Sequence, residues 1–191
     1  MGSEMCIRDS GGTDGPTGVI GSERLTEQLC GLDFDVSATA FLQTNTETAE
    51  LLYGVAREYA DLAAGEVWGI ESVRDAVADA ELNAELNGIG NAQFRAGDAR
   101  LGIRPLVEEA GKPDVVVIDP PRAGLSAKIV RRVLECEAKR IVYVSCNPTT
   151  LAPNLRQMVD DGGYELLRAR PVDMFPQTPH IECVAVLDKR D

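Results

Sequence analysis

Two continuous apolar runs, each followed by proline, constrain the fold more than any other feature of this chain. Asp114–Asp119 (DVVVID) leads directly into Pro120 and Pro121, and Arg140–Ser145 (RIVYVS) leads within three residues to Pro148. Unbroken apolar runs of this length are typical of strands that are buried on both faces of a parallel sheet. Proline ends such strands because it has no N–H to donate to the ladder. The two runs therefore predict the centre of an α/β sheet.

The remaining patterns alternate between strand and helix along the chain. Further strands are predicted at Leu32–Phe41, Val67–Glu71 (short and buried), Ala92–Ala96, Tyr164–Pro171 and Glu182–Leu187. Apolar residues at helical spacing predict helices at Thr46–Ala64 (with Thr44 or Thr46 as its cap), Val73–Asn87, Leu101–Ala110, Ser126–Glu137 and Thr150–Asp161. Strands that alternate with helices indicate an α/β fold with a mostly parallel sheet.

Composition excludes several classes of protein. The 31 acidic and 19 basic residues give a net charge of −12, which argues against binding nucleic acid by bulk charge. The sequence has no apolar stretch long enough to span a membrane. Its five cysteines are odd in number and form no C-x-x-C pair, which argues against a disulfide framework and against a zinc or iron–sulfur site. We therefore expect a cytoplasmic protein with no metal in this chain.

Four chemically capable residues follow the carboxyl ends of predicted strands, where ligands gather in α/β sheets: Glu71, Asp98, Asp119 and Cys146. A following helix N-terminus would favour the thiolate of Cys146. A free cysteine is equally well explained as a small buried apolar residue, so both interpretations stay open. The Glu71 carboxylate suits two adjacent ribose hydroxyls.

Glu182 begins the last predicted strand, and His180 lies two residues before it. Burial of Glu182 would raise its pKa toward that of a working base, and the alternative is a solvated acid at a strand end. His180 is the only histidine, and a lone histidine is more often structural than catalytic. The triplet 88–90 (GIG) follows a helix and is interpreted as a helix stop, not as a cofactor loop.

Taken together, the motifs resemble the catalytic domain of the S-adenosylmethionine-dependent RNA uracil-5-methyltransferases, which form 5-methyluridine in tRNA and ribosomal RNA. The resemblance runs from about Leu25 to Leu187. The matching stretches are FLQTN (41–45), VWGIESVRDAVADAELNAELNGIGNAQF (67–94), GD (97–98), DVVVIDPPRAGL (114–125), IVYVSCNPTTLAPNL (141–155) and VDMFPQTPHIE (172–182).

This resemblance implies a mechanism and a set of roles. Cys146 would add to uracil C6, and Glu182 would remove the C5 proton of a base taken out of its stack. The residues implied to bind the cofactor S-adenosylmethionine are Gln43, Glu71 (ribose hydroxyls), Asp98 (near the adenine) and Asp119. Arg122 and Asn147 would support the loops around the site, and RNA would be the substrate. The implied fold is a class I, Rossmann-like sheet with an antiparallel C-terminal strand.

The chain departs from the family pattern at two places. The first strand of a class I sheet, with its glycine-rich cofactor loop, should precede Val67, yet only Gly65 and Glu66 separate that strand from the preceding helix. We expect an internal deletion near 64–67, loss of the first central strand, and weak or no cofactor binding. The second departure is Pro153, where the family has arginine. Proline is tolerated in the first turn of a helix, so we expect a shift or kink there.

The expected organisation has three parts. Residues 1–10 are interpreted as a non-native or disordered segment, 11–40 as the remnant of a preceding central domain, and 41–191 as the methyltransferase catalytic domain. The glycine-rich stretch 11–21 predicts a loop or disorder.

Two rival functions remain from the residues. A methyltransferase that uses the DPP motif on an exocyclic amine would leave Cys146 and Glu182 unexplained. A non-catalytic RNA-binding or scaffold remnant is disfavoured by the acidic charge, since only scattered basic pairs are present. The identity of the RNA and of the uridine stays open.

Overall fold

The structure is a computed structural model, and it describes residues 5–6, 19–20, 24–37, 40–43, 45–62 and 65–190. The strands in these residues are β1 (Met5–Cys6), β2 (Val19–Ile20), β3 (Arg24–Leu29), β4 (Leu32–Ser37), β5 (Val67–Glu71), β6 (Ala92–Ala96), β7 (Val115–Ile118), β8 (Arg140–Ser145), β9 (Tyr164–Val172) and β10 (Glu182–Lys189). The helices are α1 (Thr46–Ala60), α2 (Arg74–Leu86), α3 (Ala99–Ala110), α4 (Ala127–Glu135) and α5 (Pro148–Gly162). The chain divides into two compact units, Met1–Gln43 with Glu66–Asp98 and Thr44–Gly65 with Ala99–Asp191.

The first unit contains three pairs of strands. β1 pairs with β2 and β3 with β4, both antiparallel, and β5 pairs with β6 in parallel. The pair β1–β2 was not expected, because 1–10 and 11–21 show no strand pattern; the other residues of these two stretches lie outside the described part of the chain. The strand predicted at Leu32–Phe41 ends at Ser37, and its hairpin partner β3 was not predicted.

The connection from β5 to β6 runs through α2, as the sequence predicts. β5 and β6 have the predicted bounds, and Gly88, with a φ of 66°, ends the helix region as expected. The predicted burial of β5 is wrong: Val67 and Glu71 are exposed, and the three residues between them are half-buried.

The second unit is built on a four-stranded sheet in the order β7–β8–β10–β9. β7 and β8 are parallel, and β10 runs antiparallel to both β8 and β9. β8 matches its predicted bounds, and five of its six residues are buried. The core of this unit is apolar and includes Val130, Val133, Ile141, Tyr143, Leu151, Leu155, Met158, Tyr164, Ala185 and Leu187.

The β7 run is less buried than its sequence predicts. The strand covers only Val115–Ile118, and Val117 is 52% exposed. Among the described residues β7 pairs with β8 and with no second strand. A strand that lies at a sheet edge keeps one side open, which explains why an apolar run typical of a central strand is partly accessible here.

The described residues between α1 and β5, which are 61–62 and 65–66, form no strand. β5–β6 and β7–β8–β10–β9 are accordingly separate sheets in the described part of the chain. The fold class is as predicted, α/β with parallel pairs and an antiparallel C-terminal strand.

The helices α2 to α5 begin or end one or two residues from their predicted bounds, and α1 deviates most. α1 ends at Ala60 rather than at Ala64, and its cap is Asn45, whose side chain accepts from the Thr48 amide, rather than Thr44 or Thr46. Residue 44 lies outside the described residues. Pro153 lies in the second turn of α5, which continues to Gly162. Pro153 has no amide hydrogen to donate to the carbonyl of Thr149, four residues earlier, and Thr149 is itself exposed, so water can reach this part of the helix.

Candidate active site

The carboxyl edge of the four-stranded sheet brings three of the predicted site residues together. β8 ends at Ser145, which pairs with Cys183 of β10, so Cys146 and Glu182 each lie one residue beyond that pair on facing strands. Asp119 follows the last residue of β7, the strand on the other side of β8. A thiol and two carboxyl groups therefore converge at one edge of the sheet.

Cys146 is half-buried, and its surroundings disfavour the thiolate. Burial raises the pKa of the thiol, the negative charge of Glu182 raises it further, and Asp119 adds to the effect. A backbone hydrogen bond and the Arg122 guanidinium act in the opposite direction. The backbone hydrogen bond acts in the direction expected of the helix N-terminus, but desolvation and two neighbouring acids outweigh it, so the net shift of the pKa is upward.

Glu182 is 4% exposed, which confirms the predicted burial. Burial raises the pKa of its carboxyl group, and the charge of Asp119 raises it further. The pKa of Asp119 is also raised by burial of its carboxyl group among protein atoms, although the residue as a whole is exposed. Raised carboxyl pKa values in a cleft are typical of groups that accept protons at neutral pH.

The loops around Cys146 are fixed by side-chain hydrogen bonds to the backbone. Asn147 Nδ2 donates to the Arg122 carbonyl at 3.1 Å, and the Thr150 hydroxyl donates to the same oxygen at 3.3 Å. Asn147 also caps α5, since its Oδ1 accepts from the Thr149 amide. The supporting role expected for Arg122 and Asn147 has this physical basis in the structure.

A second anchor lies one turn further along α5. Asn154 is buried, and its Oδ1 accepts from the Leu125 amide at 2.9 Å and from the Tyr143 hydroxyl at 2.9 Å. Its Nδ2 donates to the Leu125 carbonyl at 3.0 Å. The loop after β7 is thereby fastened to both α5 and β8, which keeps Asp119 and Arg122 in place.

His180, to which the sequence analysis gave little weight, also contacts a residue of this region. Its Nδ1 lies 2.9 Å from Nη2 of Arg122. A lone histidine has no spacing pattern that reveals its partner. The only available signal was its position two residues before Glu182 and its occurrence in the family motif.

The cofactor residues predicted in the first unit lie at the carboxyl ends of β5 and β6. The Gly97 amide donates to the Glu71 carbonyl at 2.8 Å, so Glu71 and the 97–98 pair adjoin. Oε1 of Glu71 accepts from the Ser72 hydroxyl and from the Val73 amide, a local cap at the start of α2. Gln43 is half-buried at the end of this unit's first segment.

The fit to S-adenosylmethionine is partial. Glu71 is an exposed carboxylate at a strand end, which suits ribose hydroxyls. The described residues before β5 offer no glycine-rich loop for the methionine part of the molecule. Within the described residues no group of three or more histidine, cysteine or acidic side chains is arranged to hold a metal ion, and no helix there has the length and apolarity needed to cross a membrane.

Comparison with solved structures identifies the class of fold. A tRNA (uracil-54, C5)-methyltransferase of Pyrococcus abyssi, solved with S-adenosyl-L-homocysteine, matches at a TM-score of 0.71 and 27% identity, over 94% of this chain and 48% of that one. A SAM-dependent methyltransferase of Agrobacterium tumefaciens matches at a TM-score of 0.57 and 15% identity, over 92% and 72%. The second likeness shows the fold alone. The fold is that of the SAM-dependent methyltransferases.

Comparison of sequences confirms the predicted resemblance. The tRNA (uracil-5-)-methyltransferase family model matches residues 105–190. An uncharacterized RNA methyltransferase of Enterococcus faecalis is 44% identical over 191 residues, which cover 88% of this chain and 42% of the relative, and one of Geobacter sulfurreducens is 43% identical, over 87% and 38%. The chain thus resembles the RNA uracil-5-methyltransferases and spans about two fifths of the length of these relatives.

The first of these alignments also bears on the expected deletion. It runs over 191 residues although it uses only 88% of a chain that is itself 191 residues long. The relative therefore has residues within the aligned region that have no counterpart here.

Proposed function

We propose that this chain is the catalytic part of an enzyme that transfers a methyl group to C5 of a uridine in RNA. The observation that carries the proposal is the pairing register of β8 with β10. At the carboxyl end of β8, Cys146 and Glu182 lie opposite each other, one residue beyond the pair Ser145–Cys183. A nucleophile and a base on opposite strands can act on adjacent atoms of one planar base. The names of the relatives and the fold of the P. abyssi enzyme support the substrate class.

The proposed reaction uses Cys146 as the nucleophile. Its thiolate adds to C6 of uracil, a carbon–sulfur bond forms, and the displaced electron pair makes C5 nucleophilic. S-adenosylmethionine supplies the methyl group that C5 accepts. Glu182 then removes the C5 proton, the electron pair reforms the C5–C6 double bond, and the carbon–sulfur bond breaks to release Cys146. The base has to leave its stack to reach these residues.

The surroundings of Glu182 support its role as the base. Its carboxyl group is 4% exposed, and burial raises its pKa, which makes the carboxylate a stronger proton acceptor than an exposed glutamate. Asp119 contributes a second negative charge and raises the pKa further. The same field penalises a free thiolate at Cys146, so a resting site with a protonated thiol fits the geometry.

The proposed cofactor contacts are Gln43, Glu71, Asp98 and Asp119. Glu71 is the last residue of β5, Asp98 lies two residues after β6 and Asp119 directly follows β7, so each lies at the carboxyl end of its own strand, where α/β sheets bind ligands. We further propose that an internal deletion near 64–67 removed the first central strand and its loop. This is supported by the absence of a strand in the described residues between α1 and β5 and by the excess length of the aligned relative. The chain as it stands is then expected to bind the cofactor weakly or not at all.

The test is covalent trapping on RNA that contains 5-fluorouridine. The reaction contains S-adenosylmethionine, so that C5 carries both the new methyl group and fluorine after transfer. Fluorine stands where Glu182 would remove a proton and cannot leave as a cation, so elimination stops and Cys146 stays bonded to C6. The protein carries, inserted after Glu66, the extra segment of the E. faecalis relative. The proposal expects an RNA adduct on the Cys146 peptide by mass spectrometry and none in Cys146→Ala. Methylation of uridine by Cys146→Ala at the unsubstituted rate would refute the addition mechanism.

A further inference from the structure

The loop after β7 and the segment before β10 are joined by one side-chain pair, Arg122 and His180. Nη2 of Arg122 lies 2.9 Å from Nδ1 of His180. A guanidinium has donors only, so Arg122 donates and Nδ1 accepts, which leaves the ring proton of His180 on Nε2. The hydrogen bond therefore runs from Arg122 to His180, and it holds the end of the long, exposed Arg122 side chain.

Both partners of this pair are fixed at their backbones. The Arg122 carbonyl accepts from Asn147, the residue that directly follows Cys146, and from Thr150. The His180 amide donates to the Thr178 hydroxyl at 3.2 Å, and that hydroxyl donates to the Phe175 carbonyl at 2.7 Å. His180 is thus a fixed acceptor, and the Arg122 backbone is fastened to the segment that carries the thiol.

We propose that His180 is a positioning residue that holds the Arg122 guanidinium beside Cys146 and thereby stabilises the thiolate of that cysteine. This inference rests on the proposed function, because the proposed function makes Cys146 the nucleophile. It assigns His180 no contact with the reacting atoms.

The charges around Cys146 explain why such a residue matters. Glu182 and Asp119 both raise the pKa of the thiol, and Arg122 is the charged side chain that lowers it. An exposed arginine without a partner samples many rotamers, and its charge is then screened by water. Held by His180, the same charge stays where it opposes the two acids.

The experiment measures alkylation of Cys146 by iodoacetamide against pH in the full chain, with the Cys146 peptide followed by mass spectrometry. His180→Ala and Arg122→Ala are each expected to move the midpoint of the rate profile to higher pH. At pH 8 both slow alkylation about two-fold, since the rate follows the thiolate fraction and Arg122 is the smallest of the contributions to the Cys146 pKa. The double variant is expected to match Arg122→Ala alone, because His180 acts only through Arg122.

Two variants serve as controls. His180→Asn keeps an acceptor oxygen near the position of Nδ1 and is expected to restore most of the original profile. Arg156→Ala changes the net charge by the same amount as Arg122→Ala but removes an exposed arginine that pairs with Asp160 on α5. Arg156 lies about 12 Å along the helix from Pro148, a distance at which salt screens most of the effect of its charge on Cys146. The alkylation profile of Cys146 is therefore expected to stay unchanged in Arg156→Ala. Circular dichroism verifies that each variant is folded, and His180→Phe replaces His180→Ala if the latter is not.

The inference is overturned if loss of the acceptor at 180 leaves the Cys146 profile unchanged, or if its effect adds to that of Arg122→Ala. Failure of the proposed function is a separate result. An enzyme that methylates RNA without Cys146 would refute the mechanism while the thiol profiles still reported the coupling of His180 and Arg122.

Discussion

Asn83 of α2 forms two hydrogen bonds with the backbone of a single residue, Asp35 of β4. Its Oδ1 accepts from the Asp35 amide at 2.8 Å, and its Nδ2 donates to the Asp35 carbonyl at 3.1 Å. Asn87 repeats the arrangement with Asp33, at 2.9 and 2.7 Å. Four residues of a helix advance about 6 Å and two residues of a strand advance about 6.6 Å, so the spacing of Asn83 and Asn87 matches that of Asp35 and Asp33. The two side chains therefore form the hydrogen bonds with the β4 backbone that a neighbouring strand would form.

Replacing Asn83 is therefore expected to destabilise the first unit. Asn83→Leu keeps the approximate volume but leaves the amide and carbonyl of Asp35 without these partners, which costs about 1–3 kcal/mol. Urea unfolding followed by the fluorescence of Trp68, the only tryptophan and a residue of β5 in the same unit, measures the change. Glu81→Leu, at an exposed position of α2, is the control. Equal losses in the two variants would contradict the role of Asn83.

Acid is expected to weaken the same unit through Asp79. Burial alone raises the pKa of this carboxyl group, but hydrogen bonds from the hydroxyl and amide of Ser37 and from Arg24 outweigh burial and lower the pKa below its ordinary 3.8. A group whose pKa is lowered by folding stabilises the fold above its unfolded value, and the stabilisation is lost as pH falls through the folded value. The urea concentration at the midpoint of unfolding, followed by Trp68 fluorescence, should therefore decrease as the pH is lowered below 3.8.

The corresponding variant isolates the contribution of Asp79. Asp79→Asn is expected to be less stable at neutral pH and to have a flatter acid dependence. Glu85→Gln, an exposed residue of the same helix, should retain the original profile. If Asp79→Asn loses stability in acid as steeply as the unsubstituted chain, another carboxyl group is responsible.

Local pattern predicted most elements of the fold but not how they are partnered. β5, β6 and β8 have the predicted bounds because apolar runs and turn residues are local signals. The polar row Asp79, Asn83 and Asn87 looks like a solvated helix face in the sequence, since acidic and amide residues are normally exposed. Its burial depends on the backbone of a hairpin more than forty residues away, and no local pattern encodes that partner.

The turn after Arg122 depends on Gly124. Its φ is 72°, and a Cβ there would lie 2.9 Å from the Thr150 Cβ and 3.0 Å from Oδ1 of Asn154. Gly124→Ala is therefore expected to cost about 1–3 kcal/mol through backbone strain and overpacking, as measured by thermal unfolding followed by circular dichroism. Gly54→Ala in α1, where a Cβ meets no atom within 4 Å, is the control and is expected to be neutral or slightly stabilising. Unfolding curves that coincide for the two variants would refute the requirement for glycine.

Cofactor affinity is expected to depend on the segment before β5. Calorimetric titration of the chain with S-adenosylmethionine should give no micromolar binding, because the loop for the methionine part of the cofactor is not present in the described residues. Insertion after Glu66 of the extra segment of the E. faecalis relative is expected to restore binding. The matched control inserts a glycine- and serine-rich segment of equal length. Micromolar affinity of the unmodified chain would refute the prediction.

The candidate site divides in the same way between what motifs reveal and what requires the fold. Cys146, Glu182 and Asp119 were predicted from motif and strand-end position, and the structure brings them to one edge. The net upward shift of the Cys146 pKa was not predicted, since it depends on desolvation and on two acids from other strands. The partner of His180 was also missed, because a contact across fifty-eight residues leaves no trace in spacing.

Removing the charge of Glu182 is expected to make Cys146 more reactive. After burial, Glu182 is the largest contribution that raises the pKa of the thiol, so Glu182→Gln should lower that pKa and move the alkylation profile to lower pH. At pH 8 the rate of iodoacetamide modification should rise about three-fold or more, because more of the thiol is ionised. Glu165→Gln, an exposed residue of β9, changes the net charge equally and should leave the rate unchanged.

The same Glu182→Gln variant should lose uridine methylation in the protein that carries the inserted segment, since an amide cannot accept the C5 proton. Faster alkylation of Cys146 together with slower methylation would show that Cys146 and Glu182 have different roles. Slower alkylation in Glu182→Gln would contradict the prediction, because it would mean that the carboxylate favours ionisation of the thiol.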